Sequence, residues 1–131
     1  MKKPNEEKLW HGTSVAVMDN ILTNGFNRNY LGTATDYGNY GKGVYFASKA
    51  SLSVHFTKAD GKKGVSYMLF NDVLVGEYTQ GKRGLLEPPL KNENDAKIRY
   101  DSCVNDPKNI SEVVIFHDTQ CYPAYRITFK K

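Results

Sequence analysis

The sequence predicts a single α+β domain. Short apolar, β-branched runs dominate it, the helical segments between them are brief, and no repeat, linker or low-complexity tract divides its 131 residues. Strands interspersed with short helices point to an α+β architecture. A chain of this length forms one domain and buries roughly two-thirds of its unfolded surface.

Residues 1–7, "MKKPNEE", are charged and are expected to be a flexible N-terminus, leaving 8–131 as the domain. "KLWHGT" reads as a short strand, Lys8 to His11, running into a turn at Gly12. Thr13 or Ser14 is placed to cap a helix over 14–23, whose apolar face is Val15, Met18, Ile21 and Leu22. Asn24-Gly25 should end it, with Gly25 in a left-handed conformation. Residues 27–42 show no periodicity, and a loop of that length is often functional. "GVYFA", 43–47, is a short strand, after which Ser48 should cap a second helix reaching Phe56. Residues 65–79 form the longest strand-like run, with a bulge or bend expected near Asn71-Asp72. Pro88-Pro89 keeps any central strand out of the irregular stretch 80–100. "IRYDSC" is a further short strand, and 112–118 and 124–129 close the chain around a turn at Thr119 to Pro123.

Composition limits the function classes. The hydrophobic share of 40% and the charged share of 24% are those of an ordinary soluble globule. No apolar run approaches the ~20 residues that span a bilayer, and the N-terminus lacks a signal-peptide core. The expectation is a cytoplasmic protein without a membrane partner, or a nuclear or host-cytosol one if it comes from a virus or a translocated effector. Cys103 and Cys121 have no metal spacing and read as reduced thiols. The net charge of +4 is compatible with an anionic ligand. Nine Tyr and six Phe are many for this length, and Tyr30, Tyr37, Tyr40 and Tyr45 fall in one Gly-rich tract. Such a tract is loop filler or a wall on which a flat ring stacks.

Glu112 fits its surroundings badly. It stands directly before Val113, Val114, Ile115 and Phe116, where a buried strand should begin. A carboxylate entering a core is costly unless something pairs with it. Alone, Glu112 could end a strand or pair with a lysine, His11 beside Gly12 could be structural, and Tyr45 could be core. Three stretches share the chain in a telling order, however: "LWHGT", "GKGVYFASKASLSVHF" and "SEVVIFHDTQ". Together they resemble the catalytic domain of the poly(ADP-ribose) polymerase (PARP) family, the diphtheria-toxin-like ADP-ribosyltransferases with a His-Tyr-Glu signature. The matching residues are His11, Tyr45 and Glu112, and the resemblance extends from Lys8 to Phe129. "NGFNRNY", "KRGLLEPP" and "RYDS" match the short members that mostly transfer a single ADP-ribose. Glu112 instead matches the polymerising members, while Leu52 replaces their usual lysine.

The resemblance implies two packed, mostly antiparallel small sheets with short helices around an NAD-binding cleft, without the helical regulatory domain of the DNA-break-activated members. It implies a glycosyltransferase that moves ADP-ribose from NAD, its co-substrate, to an acceptor protein or to itself. Single additions or short chains are favoured. Breaking the nicotinamide–ribose bond develops positive charge on the ribose, as in glycoside hydrolysis. A carboxylate there stabilises the transition state more than the ground state, which is the role implied for Glu112. Glu112 can also orient or deprotonate an incoming hydroxyl. Gly12 can offer its backbone N–H and C=O to the carboxamide, Ser53 a hydroxyl, and Tyr45 a stacking face. The family's second stacking tyrosine falls on Phe56. His11 is expected at the adenosine ribose with Thr13 as a second candidate, and Arg28 and Tyr40 belong to a loop closing over the dinucleotide.

No metal is expected: His117-Asp118 is an isolated dipeptide. Gly41-Lys42-Gly43 lacks the spacing of a phosphate loop. Lys62, Lys63, Lys82 and Arg83 read as solvated turn charges, although a terminal phosphate of a nucleic acid is an alternative, less favoured acceptor. A non-catalytic module that binds NAD or ADP-ribose is the remaining alternative, and a carboxylate beside the scissile bond argues against it.

Overall fold

The structure, a computed structural model, describes residues 5–26, 39–57, 59, 64–95 and 97–130. The first strand, β1, covers Glu6–Gly12 and lies antiparallel to β3, Ser66–Leu74, along its whole length. It begins earlier than expected, because Glu6 and Glu7 ladder with Leu74 and Val73 while their side chains stay exposed. The amides of Val75 and Gly76 donate to the carbonyl of Asn5, which continues the pairing. Charge in the side chains therefore does not loosen this backbone, and residues 1–4 of the expected flexible N-terminus lie outside the described residues.

The first helix, α1, covers Val15–Asn24. Ser14 is its cap and accepts from the Val17 amide at 3.4 Å. Gly25 stops it with φ 83, and its amide donates to Ile21 at 2.7 Å. Its ψ of 176 is extended, not left-handed helical, so the chain leaves straight into the buried Phe26. Met18 and Ile21 are buried, but Leu22 is exposed, since each residue turns about 100° and Leu22 has rotated off the stripe.

The strand β2, Val44–Ala47, is followed by a single helical turn, α2, Ala50–Ser53, which tightens into a 3₁₀ turn over Val54–Phe56. The cap position is Lys49, not Ser48, and no side chain caps it. Ser48 is occupied differently: its amide donates to the carbonyl of Ser111 at 3.0 Å, extending the sheet by one bond. Strands β4, Tyr78–Gln80, and β5, Ser102–Val104, run parallel, with the irregular stretch between them. The last strands are β6, Glu112–Ile115, and β7, Cys121–Phe129, joined through a 3₁₀ turn at Asp118–Gln120. The register shifts between Phe70 and Asn71, where β7 carries the extra residue Ala124 between Tyr125 and Pro123. This lets β7 start at Cys121, through the expected turn. Proline is tolerated there because β7 is an edge strand.

The α+β class holds, with one difference in layout. All strands join one seven-stranded sheet in the order β4-β5-β6-β2-β1-β3-β7, where two packed sheets were expected. The reason lies at the junction: β1 and β2 are joined at the single register pair Trp10↔Ala47. The sheet is thus two half-sheets that share one narrow seam. Leu9, Val44, Phe46, Leu69, Val113 and Ile115 bury one face against α1. Cys103, Val114 and Phe116 form a smaller cluster with Tyr40, Tyr45 and Leu85. From Val113 to Ile115 β6 is buried on both faces, and each of these three apolar side chains contributes roughly 1.5–3 kcal/mol of burial. That apolar run fixes where Glu112 stands.

Candidate active site

The seam between the half-sheets brings together residues far apart in sequence. His11 ends β1, and its Nδ1 lies 2.7 Å from the carbonyl oxygen of Tyr45 on β2. A carbonyl only accepts, so Nδ1 carries the proton and Nε2 of the neutral ring is an acceptor. Burial lowers the imidazole pKa below its ordinary value, and the Tyr45 carbonyl opposes this only in part. The ring stands edge-on to Phe26 at 5.2 Å and tilts against Phe46 at 5.5 Å. His11 is therefore a neutral group whose Nε2, without a hydrogen-bond partner among the described residues, suits a hydroxyl such as that of a ribose.

Gly12 follows, and its lack of a side chain is a steric requirement. A Cβ there would sit 2.0 Å from the Ser53 carbonyl oxygen and 3.0 Å from Thr57 Cγ2. The end of β1 thus rests directly on α2, which puts the buried Ser53 beside Gly12. Thr13 is buried next to it, and Phe56 is half-buried on the same 3₁₀ turn.

Tyr45 is tied down through its hydroxyl. It donates to the Gly41 carbonyl at 2.8 Å and accepts from the Tyr40 amide at 2.9 Å. Burial first, with nearby Glu112 adding to it, pushes its pKa up to about 12, so the phenol stays neutral. With the hydroxyl occupied, Tyr45 offers a ligand its ring face. Tyr40 is placed by that bond and by Gly81, where a Cβ would come within 2.3 Å of the Tyr40 carbonyl oxygen.

Glu112 pairs with Ala47 and Tyr45 pairs with Val114. Side chains alternate along strands, so Glu112 and Tyr45 share a face as diagonal neighbours, roughly 7–8 Å apart between strands. Glu112 is half-buried, and burial raises its pKa above the usual carboxylate value. Among the described residues no cation pairs with it: the ion pairs there are Lys8–Asp72, Lys91–Glu77 and Arg99–Glu87. The lysine pairing that the strand mouth suggested is absent there.

The structure brings His11, Gly12, Ser53, Tyr40, Tyr45 and Glu112 to the ends of β1, β2 and β6 and their adjoining turns. Arg28 lies outside the described residues, as do Tyr30, Tyr37, Lys62 and Lys63. Cys103 and Cys121 are free and buried. Among the described residues no cluster of His, Cys, Asp and Glu could hold a metal, and no helix is long and apolar enough to cross a membrane. Sequence reasoning missed Asn105. Its side-chain oxygen accepts from the amides of both Ser111 and Glu112, and its only sequence signal is an Asn in the polar link between two strands.

A split, mostly antiparallel sheet with a His, a Tyr and a Glu at its seam, the Glu without a cation partner among the described residues, defines an ADP-ribosyltransferase fold. The chain belongs to the poly(ADP-ribose) polymerase catalytic domain family, which it matches over residues 1–131. It is 43% identical over 98% of its length to protein mono-ADP-ribosyltransferase PARP10 of Mus musculus. It is 40% identical over 97% to protein mono-ADP-ribosyltransferase PARP14 of Homo sapiens, and 38% over 98% to PARP12 of Homo sapiens. The chain spans 13%, 7% and 18% of the lengths of these relatives.

Proposed function

We propose that this chain transfers a single ADP-ribose from NAD to a protein side chain, its own included, and releases nicotinamide. The observation that carries this is the Glu112 carboxylate, without a cation partner among the described residues, diagonal to Tyr45 and across the seam from the neutral His11. The site fits NAD in three respects. Gly12, which has no side chain, lies directly against the buried Ser53, and this pair is assigned to the carboxamide. Tyr45 presents a ring face, and Phe56 supplies a second aromatic. Nε2 of His11 accepts a ribose hydroxyl.

In the reaction an acceptor oxygen forms a bond to C1′ of the nicotinamide ribose as the C1′–N bond breaks. The bonding pair moves to the pyridinium nitrogen, and neutral nicotinamide leaves. Glu112, by accepting from the 2′-hydroxyl, stabilises the positive charge that develops on the ribose ring. A hydroxyl acceptor gives its proton to Glu112 or to solvent, while a carboxylate acceptor has none to lose. Two observations favour single additions: the relatives above are named as mono-ADP-ribosyltransferases, and Leu52 stands where polymerising members have lysine.

The test is intact-mass measurement after incubation with NAD, alone and with a mixed protein lysate, for wild type and Glu112→Gln. Single-unit mass steps in the wild type and few in the variant are expected. NAD binding without nicotinamide release would leave only a binding module. Ladders of many units on one peptide would overturn the single-addition reading.

A further inference from the structure

Asn105 holds the backbone of Glu112 from both sides. Its Oδ1 accepts from the Glu112 amide at 3.0 Å and from the Ser111 amide at 2.9 Å. Its Nδ2 donates to Ser111 Oγ at 2.8 Å. Its own amide donates to the Glu112 carbonyl at 3.2 Å. One residue thus satisfies the N–H and the C=O of the amino acid that carries the carboxylate. Asn105 is itself anchored, since its carbonyl accepts from Gln80 Nε2 at 2.7 Å. The same Gln80 nitrogen donates to the Gly81 carbonyl at 3.1 Å, and Gly81 packs on Tyr40. Between Asn105 and Ser111 the link is a tight bend, closed by the Asn109 amide on the Asp106 carbonyl at 3.0 Å.

The position needs such a device. Glu112 is the first residue of β6, where pairing on the β5 side ends at Val104↔Val113. On the β2 side Glu112 is held by its pairing with Ala47 and by the Ser48 amide on the Ser111 carbonyl; on the β5 side its hold comes from Asn105. We infer that Asn105 is a positioning residue: it fixes the main chain of Glu112 so that the carboxylate is aimed before substrate arrives. A misplacement of about 1 Å costs on the order of 100-fold in rate, which is what such a clamp prevents. This inference rests on the role proposed for Glu112.

The experiment measures kcat and KM for nicotinamide release by the full chain. It compares wild type, Asn105→Ala, Asn105→Asp, Glu112→Gln and the Asn105→Ala/Glu112→Gln double variant. Asn105→Ala should lower kcat roughly 10- to 100-fold with KM for NAD changed less than about threefold. Asn105→Asp keeps the acceptor oxygen for both amides and should recover most of that loss. In the Glu112→Gln background, Asn105→Ala should cost nothing further, because it acts only through the carboxylate. Losses that multiply in the double variant would overturn the positioning role, as would full activity of Asn105→Ala. Should Asn105→Ala not fold, Asn105→Asp decides: activity as low as that of Glu112→Gln refutes the clamp. Full activity of Glu112→Gln would refute the functional reading itself, and the inference with it.

Discussion

The contact between Gly12 and α2 makes Gly12→Ala a sharp test of how the site is built. The added methyl would lie 2.0 Å from the Ser53 carbonyl oxygen and 2.9 Å from its carbonyl carbon. An ordinary carbon-to-oxygen contact is at least about 3.3 Å, so roughly 1.3 Å must be recovered by moving β1 or α2. The obstacle is backbone, which cannot rotate aside as a side chain would, and β1 is held along its length by β3. Overpacking of this kind costs about 1–3 kcal/mol, and the rigid surroundings place this case near 3. For a domain of this size that lowers Tm by roughly 10 °C. Moving α2 also displaces Ser53 and the 3₁₀ turn carrying Phe56, so nicotinamide release should fall by more than tenfold even well below Tm. Circular dichroism melting and a nicotinamide-release assay check both parts. A variant with unchanged Tm and unchanged turnover would refute the close approach and the use of Gly12 at the site.

Glu112→Gln should lower the rate of nicotinamide release by roughly 10²–10³-fold, the cost of losing one preorganised charge-stabilising group. The folded pKa of Glu112 is raised above 4.5, so its contribution to stability is present below 4.5 and lost as pH rises through the folded value. At pH 7 the ionised carboxylate is a net cost, and calorimetry should find Glu112→Gln at least as stable as wild type there. His11 has the opposite sign: its folded pKa lies below 6.5, so its contribution is full above 6.5 and declines as pH falls below it. Tm measured between pH 7.5 and 5 should therefore drop less for His11→Gln than for wild type. Phe46→Ala should destabilise by about 3–5 kcal/mol in denaturant titrations, since Phe46 is 1% exposed and touches His11 and Phe26. Burial pushes the thiols of Cys103 and Cys121 up to about 11 and about 12. A thiol reagent at pH 8 should therefore label neither in the folded protein and both after unfolding.

Much of this was legible because local chemistry and tertiary packing agree. Ser14, Gly25 and the register shift beside Asn71 are where side-chain capping, backbone freedom and an interrupted pattern put them. Elsewhere tertiary pairing overrode the local signal. Ser48 has the chemistry of a cap, but its amide still extends the sheet onto Ser111, so the cap falls on Lys49 and the helix starts one residue later. Pro123 looks like the end of a turn until β7 is known to lie at an edge. At the site, His11, Tyr45 and Glu112 were legible because each breaks the pattern of its strand or sits among characteristic neighbours. Asn105 was not, because what distinguishes it is a set of backbone bonds to residues six and seven positions on, which no spacing rule announces.

The single pair at Trp10↔Ala47 has a consequence for how the molecule breathes. Cooperative units in a protein tend to part where few bonds cross. The half-sheet of β1, β3 and β7 is laddered along long strands, whereas the line between β1 and β2 has one pair and the His11–Tyr45 bond. In hydrogen exchange the amides flanking that line should exchange through smaller openings than those shared by β1 and β3. The fault line of the fold runs beside His11 and Tyr45, so a dinucleotide bound there as proposed would act as a staple. Protection gained on adding NAD should then spread into both halves instead of staying with the residues it touches.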